Sequence, residues 1–163
     1  MAAESTYTPI ATTTLGSAQA TVSFNSFSGY TDLILVVAGT VSVANNPTLR
    51  FNSDSTSNYS WTYLVGAGSG SGSSGRGSNQ TSILTGGLGT STVGNIIYHI
   101  QNYSNSTTYK TVISRHNRAD DSVGAWVGLW RKTPEAITTI DLGAGGGNWN
   151  IGSTFTLYGI QAA

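Results

Sequence analysis

The sequence predicts an all-β protein, a two-sheet antiparallel sandwich of jelly-roll type. Short apolar runs and strict apolar/polar alternation recur along the chain, separated by clusters of Gly, Ser and Asn. No long stretch repeats apolar side chains at helical spacing, and the helix formers Glu, Lys and Leu are scarce. Charged residues make up only 9% of the chain, against about a quarter in ordinary soluble domains. Hydroxyls and amides therefore carry its solvation.

Taken in order, strands are expected near residues 8–14, 20–25, 32–43, 47–52, 59–65, 81–85, 93–103, 108–116, 123–132, 136–142 and 153–160. In the second, Ala20, Val22 and Phe24 alternate with Thr21, Ser23 and Asn25, so one face is buried. In 32–43 both faces are apolar, which places that strand centrally or puts a partner on its second face. Residues 93–103 and 108–116 read as a hairpin, with Ile96, Tyr98 and Ile100 set against Thr111 and Ile113. In 123–132, Val123, Ala125, Val127 and Leu129 face one way, and Gly124, Trp126, Gly128 and Trp130 the other. Glycine beside tryptophan leaves room for the indoles or for another backbone. This strand is read as doubly buried or as part of a subunit interface.

The 163 residues are read as one domain, 1–163, with a short N-terminal arm (about 1–9) and a Gly/Ser loop at 66–79, either a mobile surface loop or an arm ordered by a neighbour. A second Gly-rich loop covers 143–148. Hydrophobic residues reach 38%, enough for a core without staples, and no cysteine is present to form a disulfide or a thiolate metal site. Net charge is zero and no basic stripe occurs, so no nucleic-acid partner is expected. The N-terminus lacks a secretory pattern, and the longest apolar run, Leu33 to Ala38, is far too short to span a bilayer, so no membrane partner is expected.

Chemistry-bearing motifs are weak. Gly70-Ser71-Gly72-Ser73-Ser74-Gly75 spells a dinucleotide string, but no helix follows to meet a phosphate. His99 and His116 are the only histidines. His116 sits near Arg115, Arg118, Asp120 and Asp121, which reads as a hairpin end followed by a charged turn rather than a metal or acid–base site. His99 reads as a sheet histidine with its bonds satisfied. The carboxylates are scattered, unlike a glycosidase pair. Asp54-Ser55-Thr56-Ser57-Asn58 reads as an Asx-type turn. No catalytic residue, cofactor or metal is expected, and the chain is not read as an enzyme. Trp149, between Gly/Asn and the last strand, is the candidate for stacking on a sugar ring.

Leu49-Arg50-Phe51-Asn52-Ser53-Asp54, then Asn58-Tyr59-Ser60-Trp61, resembles a segment of small β-sandwich structural proteins of tailed bacteriophages, especially of cyanophage type. Gly29-Tyr30-Thr31-Asp32-Leu33-Ile34-Leu35 and the closing Ser153-Thr154-Phe155-Thr156-Leu157-Tyr158-Gly159-Ile160 are similar to the same group. The resemblance implies a virion protein on the head or a tail appendage. The expected function is a capsid decoration or cement protein on the outer surface of the capsid, a homotrimer bridging major capsid subunits. The alternative is a tail fibre or receptor-binding module gripping host glycans through Trp149. Expected contact residues are Tyr7, Pro9, Ile10, Arg76, Trp126 and Trp130.

Overall fold

Two antiparallel sheets enclose one apolar layer. The computed structural model describes residues 6–68 and 70–161, and among these there is no helix. The strands are β1 (Tyr7–Thr14), β2 (Thr21–Asn25), β3 (Asp32–Gly39), β4 (Thr48–Phe51), β5 (Tyr59–Ala67), β6 (Ser73–Gln80), β7 (Ile83–Leu84), β8 (Gly94–Ile100), β9 (Lys110–Asn117), β10 (Ser122–Trp130), β11 (Thr139–Gly143) and β12 (Thr154–Ile160). The large sheet has eight strands in the order β1-β12-β3-β8-β9-β10-β5-β6. The small sheet has four, in the order β2-β11-β4-β7.

Period-two alternation builds the core. Leu33, Leu35 and Val37 of β3, Ile96, Tyr98 and Ile100 of β8, and Phe155 and Leu157 of β12 point inward from the large sheet. Val22, Phe24, Leu49, Phe51, Ile140 and Leu142 meet them from the small sheet. Several polar groups entering this layer are bonded, whereas the buried Tyr103 hydroxyl has no hydrogen-bond partner among the described residues. The Tyr98 and Thr85 hydroxyls lie 3.0 Å apart, and Thr85 Oγ1 donates to the Pro47 carbonyl. Tyr59 Oη donates to the Asp54 carbonyl at 3.1 Å.

Three expectations about the elements change. The Gly/Ser stretch 66–79 is not one mobile loop: β5 runs to Ala67, and Ser73–Gln80 returns as the edge strand β6. Its glycines hold it there. A Cβ on Gly77 would come within 2.6 Å of the Trp61 indole, and one on Gly75 within 2.7 Å of the Tyr63 ring, so these rings lie flat over bare backbone. Within the expected N-terminal arm, Tyr7, Thr8 and Pro9 belong to β1 and pair with β12, while residues 1–5 lie outside the described residues. The register breaks between Pro9 and Ala11, and Ile10 turns to pack against the core. Finally, the β8–β9 hairpin sets Ile100, Tyr98 and Ile96 against Val112, Ser114 and His116, so Thr111 and Ile113 lie on the opposite face from the one expected.

Candidate interaction surface

The outer faces of the two sheets differ sharply. The small sheet presents Thr21, Ser23, Asn25, Thr48, Arg50, Thr139 and Asp141, with Ser23 Oγ donating to Asp141 at 2.6 Å. That is the ordinary hydrated face of an antiparallel sheet. The large sheet presents a mixed face with an apolar centre. Its register lines up Pro9, Tyr158, Ile34, His99, Ile113, Val127, Thr62 and Arg76 in one row across all eight strands. The adjacent row carries Thr12, Thr156, Val36, Ile97, Arg115, Ala125, Leu64 and Ser74.

Of the nine exposed large hydrophobic side chains among the described residues, Tyr7, Leu64, Ile113, Val123 and Val127 lie on this face, between 46% and 69% exposed. Scattered surface apolar groups need no explanation, but a contiguous sheet face of them does. Its two halves have different relief. Over β12, β3 and β8 lies a cleft of about 360 Å³, floored by Ile34, Val36 and Ile97 and flanked by Tyr7, Tyr158 and Arg115. Tyr7 stands edge-on to Tyr158, with ring centroids 6.3 Å apart. Over β10 and β5 the exposed Val123, Val127 and Leu64 form a ridge, with a second hollow beside it lined by Thr62, Arg76, Thr111, Val127 and Leu129. Charge is sparse. Asp32 is paired with His99 at 2.8 Å and also accepts the Asn102 amide, which leaves Arg76 and Arg115 as the charged side chains of this face, among the described residues, without an ion pair.

The expected contact residues divide. Tyr7, Pro9 and Arg76 are exposed and belong to this outer surface. Ile10 is partly buried. Trp126 and Trp130 are buried on the inner face, at 4% and 2% exposure, so they are not available to a partner. Their companions Val123, Val127 and Leu129 occupy the face a partner could reach. The space over Gly124 is taken by His116 and Val65, and that over Gly128 by Ile83. Trp149, at 0% exposure, cannot serve as a sugar platform: it stands edge-on to Phe155, and its Nε1 donates to the Leu142 carbonyl at 3.1 Å. The missed residues had a signal, the second apolar face of residues 32–43 and of 123–132.

The polar clusters are structural in their geometry. Arg118 bonds Asp120 at 3.0 Å and Asp121 at 3.1 Å, closing the turn after β9. His116 is wedged beside Gly86 and Gly124, edge-on to Trp126 at 4.9 Å. Burial pulls its pKa down, against the Gly124 backbone and Asp121, which favour the charged ring. Ser122 Oγ lies 3.5 Å from His116 Nε2 but donates to Asp121 at 2.8 Å. A nucleophilic triad needs the carboxylate on the histidine, not on the serine. Among the described residues no group of three or more His, Asp or Glu is placed to hold a metal.

Asp54 is the most completely bonded carboxylate. It accepts Trp130 Nε1 at 2.8 Å, Asn58 Nδ2 at 2.9 Å and the Thr56 amide at 2.9 Å. Burial alone would raise its pKa. The bonds from Thr56, Asn58 and Trp130 together outweigh burial and hold the carboxyl well below the usual carboxylate range. Lys110, almost fully buried, caps the Thr108 carbonyl at 2.7 Å, and burial lowers its pKa against the pull of Glu135.

Searches against family models, curated proteins and solved structures find no match to this chain.

Proposed function

We propose that this chain is a passive structural subunit of a tailed-phage virion, a decoration or cement protein on the outside of the head. The observation that carries this reading is the uncovered apolar face of the large sheet, backed by a hydrated small-sheet face. A domain with one adhesive side and one wet side suits a subunit lying in an assembly with its small sheet toward solvent. The similarity of the segments around Phe51, Leu33 and Leu157 to small phage structural proteins supplies the kind of assembly. Such a protein works by adding many weak non-covalent contacts to a shell under internal pressure, each square ångström of apolar contact contributing about 25 cal/mol before association costs.

The test uses expanded, DNA-free capsids of the phage that encodes the chain. The purified protein should bind them to saturation and raise their melting temperature. Binding confined to tails or host cells, or hydrolysis of a host polysaccharide, would overturn the reading.

A further inference from the structure

We infer that the outer face of the large sheet is a self-complementary interface that pairs two copies of this chain back to back about a two-fold axis. This rests on the proposed function for the kind of assembly but reassigns the apolar face: a second copy covers it, one hydrated small sheet of the pair turns toward the shell and the other toward solvent, and a two-fold association replaces the expected three-fold one.

Relief, size and charge point to a second copy. The cleft lies over the third strand of the sheet, β3, with β12 and β8 on either side, while the ridge lies on the sixth and seventh strands, β10 and β5. A two-fold axis running along the strands, midway between β8 and β9, exchanges the third strand with the sixth and the second with the seventh. It lays Val127 of each copy over the Ile34 floor of the other, Thr62 over Tyr158 and Leu64 over Thr156, so each ridge meets the other's hollow once and the pair holds two such contacts. Strand spacing of about 4.8 Å and a rise of about 3.4 Å per residue give a face of about 800 Å². A stable protein–protein interface needs about 800 Å² from each partner. A strongly charged partner would find almost no complement here, since Asp32 is already paired with His99. A second identical face brings the same near-neutral surface.

One charge opposes this pairing and makes it testable in both directions. Arg115 lies on β9, next to the axis, and the operation brings it toward the Arg115 of the second copy.

Sedimentation velocity on the full chain should show a dimer. Val127→Asp combined with Leu64→Asp should raise the dissociation constant about a hundredfold or more, because each pair would bury four unpaired carboxylates. Thr21→Asp, on the hydrated small-sheet face, should leave the dimer intact. Arg115→Leu should tighten the dimer severalfold, seen as more of the same discrete dimer boundary and not as larger aggregates; circular dichroism checks that each variant folds. A wild-type chain that stays monomeric, or a dimer indifferent to the ridge substitutions, overturns the inference, as does an Arg115→Leu variant that associates more weakly. The same variants separate this inference from the proposed function. A monomer that loses capsid binding on ridge substitution assigns the face to the shell and refutes self-pairing. A dimer that behaves as described yet ignores capsids keeps the pairing and refutes the decoration role.

Discussion

At the residue scale, Asp54 shows how a short polar turn ties the strands of the two sheets together. Its carboxylate gathers donors from Thr56 and Asn58 in its own turn and from Trp130 across the sandwich. Trp130 in turn stacks on Tyr59 at 6.3 Å and tilts against Phe51 at 5.6 Å. Bonds to a charged group contribute about 1.5–3 kcal/mol each, and a buried donor left unpaired costs about 1–3 kcal/mol. Asp54→Ala, which strands the Trp130 N–H, should therefore cost about 2–4 kcal/mol and lower the melting temperature by about 4–16 °C. The pH dependence follows from the direction of the shift. The folded carboxyl titrates below its unfolded value of about 3.9, so the unfolded chain binds the extra proton in that window. Its stabilisation is complete above about pH 4–5 and fades as pH falls through the folded value. Melting curves of the wild type and Asp54→Asn should accordingly converge below pH 4. A gap between them that stays constant down to pH 2 would show that the ionised carboxylate contributes nothing.

At the element scale, β6 sets propensity against packing. Its sequence, Ser-Ser-Gly-Arg-Gly-Ser-Asn-Gln, has no apolar side chain and is a poor strand former by composition. Replacing Gly77 with Val improves β propensity by up to about 1 kcal/mol. The structure predicts the opposite net sign, because the Trp61 ring already fills that space at 2.6 Å. Gly77→Val should destabilise by about 1–3 kcal/mol and shift Trp61 fluorescence to the red as the indole is displaced toward water. A stabilised variant with unchanged emission would show that the ring is not held over the strand. The same contrast explains what could be read in advance. The other strands were legible because apolar residues in alternation, or in runs for β3, mark a buried face. β6 was invisible because its burial comes from the rings of β5, not from its own side chains. The face of β9 was misjudged because its buried positions include Ser114 and His116, while the exposed ones include Ile113. Trp149 read as exposed because its neighbours are Gly and Asn, yet strand-like bridges to Gln19 and Val41 draw it into the core. For the candidate site, Tyr7, Pro9 and Arg76 were legible as surface residues. The wall between them was not, because lateral rows depend on strand order.

At the scale of the whole molecule, the decisive property is the mismatch between two outer faces in a chain with so little charge. Seven basic and seven acidic residues give no net charge, so there is little electrostatic repulsion between copies and little attraction to a charged partner. Association must then rest on apolar burial, and apolar burial has its own dependence on salt. Raising NaCl from about 0.05 to 0.5 M shortens the Debye length from about 14 to 4 Å and weakens ionic contacts. For this face the same change should leave self-association unaltered or tighten it slightly, since Arg115 is better screened from its symmetry mate. Sodium sulfate, excluded from apolar surface, should tighten it further. Sedimentation equilibrium across a salt series measures this directly. A dissociation constant that climbs steeply with NaCl would mean that charge holds the copies together, which the pairing of Asp32 with His99 and the isolation of Arg115 do not allow.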